Sequence, residues 1–328
     1  MIDEIGPRYG RTRSVPRPAH PEHRVEALPG QEPKPAQDDS QAPEALRKIL
    51  DSTSYREADR DLDFLHGDAA RGARLQLDFL KTESILEAQR VAHTIVVFGS
   101  TRICEPQAAG RALERCANAL AASPSDDALR HHLEIARNIA EKSRYYDMAR
   151  RFGQIVGSVG EKTIGGRIMI MTGGGPGIME AANRGAHDVG AKSIGLNITL
   201  PKEQFPNPYV TPELCFSFHY FAMRKLHFLL RARALVAFPG GYGTMDELFE
   251  VLSLAQTRKI APVPVILVGE SYWRRVLDPE FLVDEGVIDP EDRELFWFAD
   301  SAEDAWHDIL NWYEASGSPL LPPASRAV

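Results

Sequence analysis

A short apolar run that breaks into glycines and restarts as a helix constrains this chain more than any other feature. In Val236-Ala-Phe-Pro-Gly-Gly-Tyr-Gly-Thr-Met-Asp-Glu247, the run 234–238 has the length of a buried strand. Pro239 stops it, and Gly240, Gly241 and Gly243 form a tight turn that opens a helix at Thr244. Such a unit is an anion site, because the first N–H groups of the helix lack partners and its dipole favours negative charge. The same order occurs earlier, where 167–171 (RIMIM) runs into Thr172-Gly-Gly-Gly-Pro-Gly177 and a helix to about 189. Glu247 sets the later unit apart. A carboxylate one turn into that helix repels a phosphate, so it points to chemistry on another part of the ligand.

The alternation extends through the chain. Strands are expected at 94–98 (TIVVF, ending in Gly99-Ser100), 167–171, 193–197, 215–218, 234–238, 263–268 and about 295–298. Between them come helices at about 108–122, 126–157 (unusually long), 220–231 and 244–256, with others from about 271 and from 302. Short apolar strands alternating with helices predict an α/β fold with a doubly wound parallel sheet over 93–316. Residues 1–42, rich in Pro, Arg, Glu and Gln, are expected to be a disordered tail. Residues 43–92 carry Leu62, Leu65, Leu75, Leu77, Phe79, Leu80, Ile85 and Leu86 at helical spacing and predict a helical hairpin or one long helix, used for packing or oligomerisation. Residues 317–328 are expected to be a flexible C-terminal tail. In doubly wound sheets, ligands bind beyond the carboxyl ends of the strands near the switch point, which selects the loops 99–102, 173–177 and 240–244.

Composition narrows the function classes. The net charge of −8 over 328 residues argues against a general nucleic-acid binder. Cys104, Cys116 and Cys215 are too few and too scattered for a zinc site or a disulfide framework, and they fit a reduced cytosol. No apolar run approaches the roughly 20 residues of a membrane span, and the polar N-terminus lacks a signal-peptide core. A cytoplasmic location and no membrane partner are therefore expected. Neither glycine loop fits GxGxxG with an acidic ribose ligand, and GxxxxGK[ST] is absent. Dinucleotide redox chemistry and Walker-type nucleotide hydrolysis are disfavoured, while a phosphorylated ligand remains.

A cation precedes the main motif. In Phe221-Ala-Met-Arg224-Lys225, Arg224 falls in the first turns of a helix that also carries Leu226, Phe228, Leu229 and Leu230. An unpaired arginine is costly on so apolar a helix, so an acidic ligand or Glu247 is expected to satisfy it.

Gly173-Gly-Gly-Pro-Gly-Ile-Met179, Met223-Arg224-Lys225 and Pro239-Gly-Gly-Tyr-Gly-Thr-Met-Asp-Glu247 together resemble the LOG ("lonely guy") family over residues 94–312. Its members were long mislabelled lysine decarboxylases and are phosphoribohydrolases of nucleoside 5′-monophosphates. The resemblance implies a Rossmann-like fold of LOG type with Arg224 and Glu247 as the catalytic pair. It also implies a substrate and phosphate site built from Gly99, Ser100, Gly173, Gly174, Gly175, Gly177, Met223, Lys225, Gly240, Gly241, Gly243 and Thr244. No metal or other cofactor is implied. Homodimers or higher homo-oligomers are, with sites near the interface. The implied substrates are cytokinin riboside monophosphates or AMP, cleaved to free base and ribose 5-phosphate.

Three departures stand out. Shorter members have Gly-Leu-Met-Gly where this chain has Gly177-Ile-Met-Glu180, and Glu180 is expected to support local structure rather than ligand. The segment between the first two strands is also longer, and the N-terminal extension is additional. Two other classes stay open: a non-catalytic nucleotide or molybdenum-cofactor binder on the same fold, and a pyridoxal-phosphate decarboxylase. The second needs a Schiff-base lysine, and Lys192, Lys225 and Lys259 have no evident context for that role.

Overall fold

Strand parity decides the layering. In β1 (Val91–Phe98), Ile95 and Val97 enter one apolar cluster while Val96 and Phe98 enter another. The same division splits Ile168 and Ile170 from Met169 and Met171 in β2 (Arg167–Thr172). Successive strand residues point to opposite faces, so strands apolar at every position need a helical layer on both sides. The computed structural model, which describes residues 30–160, 163–201 and 205–322, has that arrangement. The expected N-terminal tail up to residue 29 and the last six residues of the expected C-terminal tail lie outside the described residues.

The remaining strands are β3 (Ser193–Ile198), β4 (Cys215–Phe218), β5 (Ala232–Ala237), β6 (Val265–Val268) and β7 (Trp297–Ala299). They form one parallel sheet in the order β4-β3-β2-β1-β5-β6-β7. The chain winds outward from β1 to β4, then returns to the other side of β1 as β5. The switch point therefore lies between β1 and β5, whose ends are in register as Phe98 opposite Ala237.

The helices are α1 (Ala42–Leu50), α2 (Leu62–His66), α3 (Arg71–Ala88), α4 (Pro106–Ala122), α5 (Asp127–Lys142), α6 (Arg144–Val159), α7 (Ile178–Asp188), α8 (Phe221–Leu230), α9 (Tyr242–Gln256), α10 (Glu270–Val276), α11 (Pro279–Asp284) and α12 (Ala302–Ala315). Residues of α6, α7 and α12 share the apolar cluster on one face of the sheet, and residues of α3, α8, α9 and α10 share the other.

Two expectations need correction. The single long helix over 126–157 is two helices, because the Ser143 hydroxyl donates back to the Ala140 carbonyl at 2.7 Å and competes with the helical ladder. This break lets α6 bury Tyr145, Tyr146 and Phe152 on the sheet while α5 packs on α4. The segment 43–92 is neither a hairpin nor one long helix. Ser52 Oγ accepts from Ser54 N–H at 3.3 Å and Asp61 Oδ1 from Phe64 N–H at 3.2 Å, and each cap starts a new short element. The chain divides into two compact units between Arg71 and Gly72, at the first residue of α3.

Candidate functional site

The carboxyl ends of β1 and β5 open into a cleft of about 610 Å³. Its floor and one wall come from the loop after β1, where Gly99, Ser100, Thr101 and Arg102 line it. The opening of α9 supplies Gly241, Tyr242, Gly243, Thr244, Asp246 and Glu247, and α8 supplies Phe221 and Arg224. The end of β3 adds Asn197 and Ile198, and Gly173 and Met179 close the side toward β2. The two central loops are tied together: Phe238 N–H donates to the Phe98 carbonyl at 2.9 Å, and Ser100 N–H to the Pro239 carbonyl at 3.0 Å.

The α9 terminus is shaped for an anion. Gly241 is its N-cap, and Thr244 and Met245 donate to the Gly241 carbonyl at 3.0 and 3.1 Å. The amides of Tyr242 and Gly243 precede those donors and have no carbonyl of the helix to meet. Thr244 is buried and stands over Gly240, where a Cβ would lie 2.1 Å from its hydroxyl oxygen. Beneath the turn, Tyr272 donates its hydroxyl to the Gly240 carbonyl at 2.5 Å.

Eight of the residues singled out from sequence line this cleft: Gly99, Ser100, Gly173, Arg224, Gly241, Gly243, Thr244 and Glu247. Six do not. Gly174 is bound inward at both backbone groups and Gly175 at its carbonyl: Gly174 N–H donates to Thr172 Oγ1 at 2.9 Å, its carbonyl accepts from Asn207 N–H at 2.8 Å, and Asn207 Nδ2 donates to the Gly175 carbonyl at 3.1 Å. Gly177 has φ of +74° and sits against Ser100, whose carbonyl oxygen would be 2.3 Å from an added Cβ. Gly240 lies under Thr244, and Met223 is packed against the apolar cluster on its side of the sheet. Lys225 does not line the cleft, and its ammonium is held by the carboxylates of Asp246 and Glu250 with Glu247 close by. Glu180 accepts from the Tyr146 hydroxyl at 2.9 Å, a bond within the helical layer.

Residue patterns missed Asn197, Ile198, Leu200, Phe221 and Asp246 on the cleft wall, while Arg102 and Tyr242 lay within the selected loops without being named as site residues. Asp246 stood within a segment already noted for other residues. Asn197 carried no local signal, because it reaches the cleft only through the pairing of β3 beside β2.

Charge is arranged unevenly. Arg224 Nε donates to the Leu196 carbonyl at 2.8 Å, and its guanidinium carbon lies 5.2 Å from the Phe228 ring centre and 5.7 Å from that of Phe221. Gly173 lets it lie there, since a Cβ would come within 2.5 Å of Arg224 Nη2. Burial pulls the guanidinium below its usual pKa, and Glu247 and Asp246 partly oppose this. Among the described residues Arg224 makes no salt bridge. Glu247 is 6% exposed, and burial pushes its carboxyl up to about 7 against the opposing charges of Lys225 and Arg224. An acid–base group with that pKa can change protonation state near neutrality. The expected satisfaction of Arg224 by Glu247 is therefore electrostatic and not a direct ion pair.

Comparison with known proteins identifies relatives of the chain. Over 170 residues the chain is 32% identical to a cytokinin riboside 5′-monophosphate phosphoribohydrolase of Arabidopsis thaliana, covering 50% of this chain and 74% of that one. The chain belongs to the LOG family. A probable cytokinin riboside 5′-monophosphate phosphoribohydrolase of Oryza sativa is 31% identical over 139 residues, covering 42% of this chain and 55% of that protein. Residues 179–309 match the family model described as "Possible lysine decarboxylase". The Moco carrier protein of Chlamydomonas reinhardtii aligns at 19% identity over 68% of this chain and 98% of its own, with a TM-score of 0.39. Among the described residues no helix is long and apolar enough to cross a membrane, and no group of three or more His, Cys, Asp or Glu is placed to hold a metal.

Proposed function

We propose that this LOG-family chain is a phosphoribohydrolase that cleaves the N-glycosidic bond of purine or cytokinin nucleoside 5′-monophosphates, such as AMP or isopentenyladenosine monophosphate. The products are the free base and ribose 5-phosphate. The observation that carries this reading is the buried, near-neutral Glu247 in one cleft with the helix terminus Gly241–Thr244 and Arg224. The α9 amides and Thr244 hold the 5′-phosphate, which places the ribose farther along the cleft. Breaking the N-glycosidic bond builds positive charge on the ribose ring and needs a water at C1′. Ionised Glu247 stabilises that charge and orients or deprotonates the water. Arg224 holds the phosphate or the ribose hydroxyls and keeps Glu247 ionised. The names of the curated relatives support the same reaction.

Among the described residues no lysine lines the cleft, which weighs against a Schiff-base decarboxylase. A binder without catalysis has no use for a buried carboxylate beside an anion site. Base release from AMP, isopentenyladenosine monophosphate and adenosine is the deciding assay. Cleavage of the monophosphates with little or none of adenosine is expected; no release from any monophosphate defeats the enzyme reading and leaves a nucleotide or molybdenum-cofactor binder. The preferred base follows from the same panel. The family resemblance also supports a homodimer or larger homo-oligomer, which light scattering after gel filtration measures directly.

A further inference from the structure

The LOG-type motif Met223-Arg224-Lys225 places two cations side by side, and the fold sends them in different directions. Arg224 lines the cleft, whereas the Lys225 ammonium turns toward α9. Its Nζ lies 2.8 Å from Asp246 Oδ2, 3.1 Å from Glu250 Oε2 and 3.8 Å from Glu247 Oε2. The lysine side chain is 17% exposed and that of Glu247 only 8%. One ammonium from α8 thus meets three carboxylates from the first turns of α9. To touch a phosphate in the cleft it would have to leave two charge-assisted contacts.

We infer that Lys225 is a positioning residue for Glu247: its ammonium orients the carboxylate and favours its ionised form, while Asp246 and Glu250 share that ammonium and set the strength of the effect. The inference rests on the catalytic role proposed for Glu247. Among the described residues Lys225 is the only cation within 4.0 Å of the Glu247 carboxylate. The other charged groups facing it are Arg224 on α8, and Glu250 and Asp246 on its own helix. Lys225 opposes the upward push of burial on Glu247 more strongly than Arg224 does. Burial lowers the pKa of Lys225, but its bonds to Asp246 and Glu250 together with the charges of Glu247 and Glu250 raise it overall, so the ammonium stays charged.

Lys225 and Glu250 make opposite predictions, which a purely structural role does not. The test is carboxyl NMR of the full chain labelled with ¹³C-glutamate, with the Glu247 signal assigned by its loss in Glu247→Gln. Lys225→Met is expected to raise the Glu247 titration midpoint by about one pH unit, and Glu250→Gln to lower it. Lys225→Arg should restore most of the wild-type midpoint. The acid limb of kcat/KM should move in the same directions.

Unmoved midpoints in Lys225→Met and Glu250→Gln overturn the inference. So does a Lys225→Met enzyme with a raised KM for AMP and an unchanged pH profile, which identifies a phosphate ligand. If Lys225→Met does not fold, Glu250→Gln and Lys225→Arg still decide the matter. The NMR readout needs no turnover, so an inactive wild type would defeat the proposed reaction while the titration still judged the network.

Discussion

Glu247 concentrates the chemistry of the cleft in one ionisation. Burial pushes its carboxyl up to about 7, and the proposed mechanism uses the carboxylate, so activity should fall as pH drops below neutrality. Glu247→Gln keeps the shape and removes the charge, and a loss of roughly 10²–10⁴-fold in kcat is expected, measured by base release at about pH 8. Gly173 is the complementary case. It has no positive φ to protect, and its role is the close approach of Arg224 Nη2, 2.5 Å from where a Cβ would be. Gly173→Ala should displace Arg224 and raise KM for a 5′-monophosphate about tenfold, with little change in the melting temperature. A variant with unchanged KM would show that Arg224 does not hold the bound substrate.

Among the elements, α8 depends on a helix far from it in sequence. Asp78 of α3 accepts from the backbone N–H groups of His219 and Tyr220 at 2.9 and 3.0 Å, just where α8 begins. Arg74 Nε donates to the Tyr220 hydroxyl at 3.0 Å, and Glu83 receives the Arg231 guanidinium through bonds of 2.6 and 2.9 Å. The carboxylate of Asp78 stands near the positive end of the α8 dipole. Asp78→Ala should therefore cost about 1–2 kcal/mol in denaturant unfolding and lower activity by loosening the helix that carries Arg224 and Lys225. Asp78→Asn, which still accepts hydrogen bonds, should retain more of both. The apolar spacing of 71–88 was legible as helix, but its bonds to α8 were not. They arise when residues about 140 positions apart meet, as in Asp78 with His219 and Tyr220.

The whole molecule carries the cost of that buried carboxyl. A group whose folded pKa lies above its unfolded value favours the fold at low pH, and this contribution is lost as pH rises through the folded pKa. For Glu247 the loss runs from about 4.5 to about 7. Glu247→Gln should accordingly be more stable than wild type at about pH 8, by on the order of 3 kcal/mol, and lose that advantage near pH 4; paired urea titrations at the two pH values measure it. Equal stability at both would show that Glu247 is not strained by burial. Sequence alone determined the alternation of strands and helices, the glycine turns and the candidate Arg224 and Glu247, because apolar periodicity, turn chemistry and motif spacing are local. Tertiary structure decided that β5 returns beside β1 and brings loops more than a hundred residues apart into one cleft. It also decided that Gly174 and Gly175 bind inward, that Asn197 joins the wall and that Lys225 faces carboxylates. Those outcomes depend on which strands and helices become neighbours, and no local pattern encodes a neighbour.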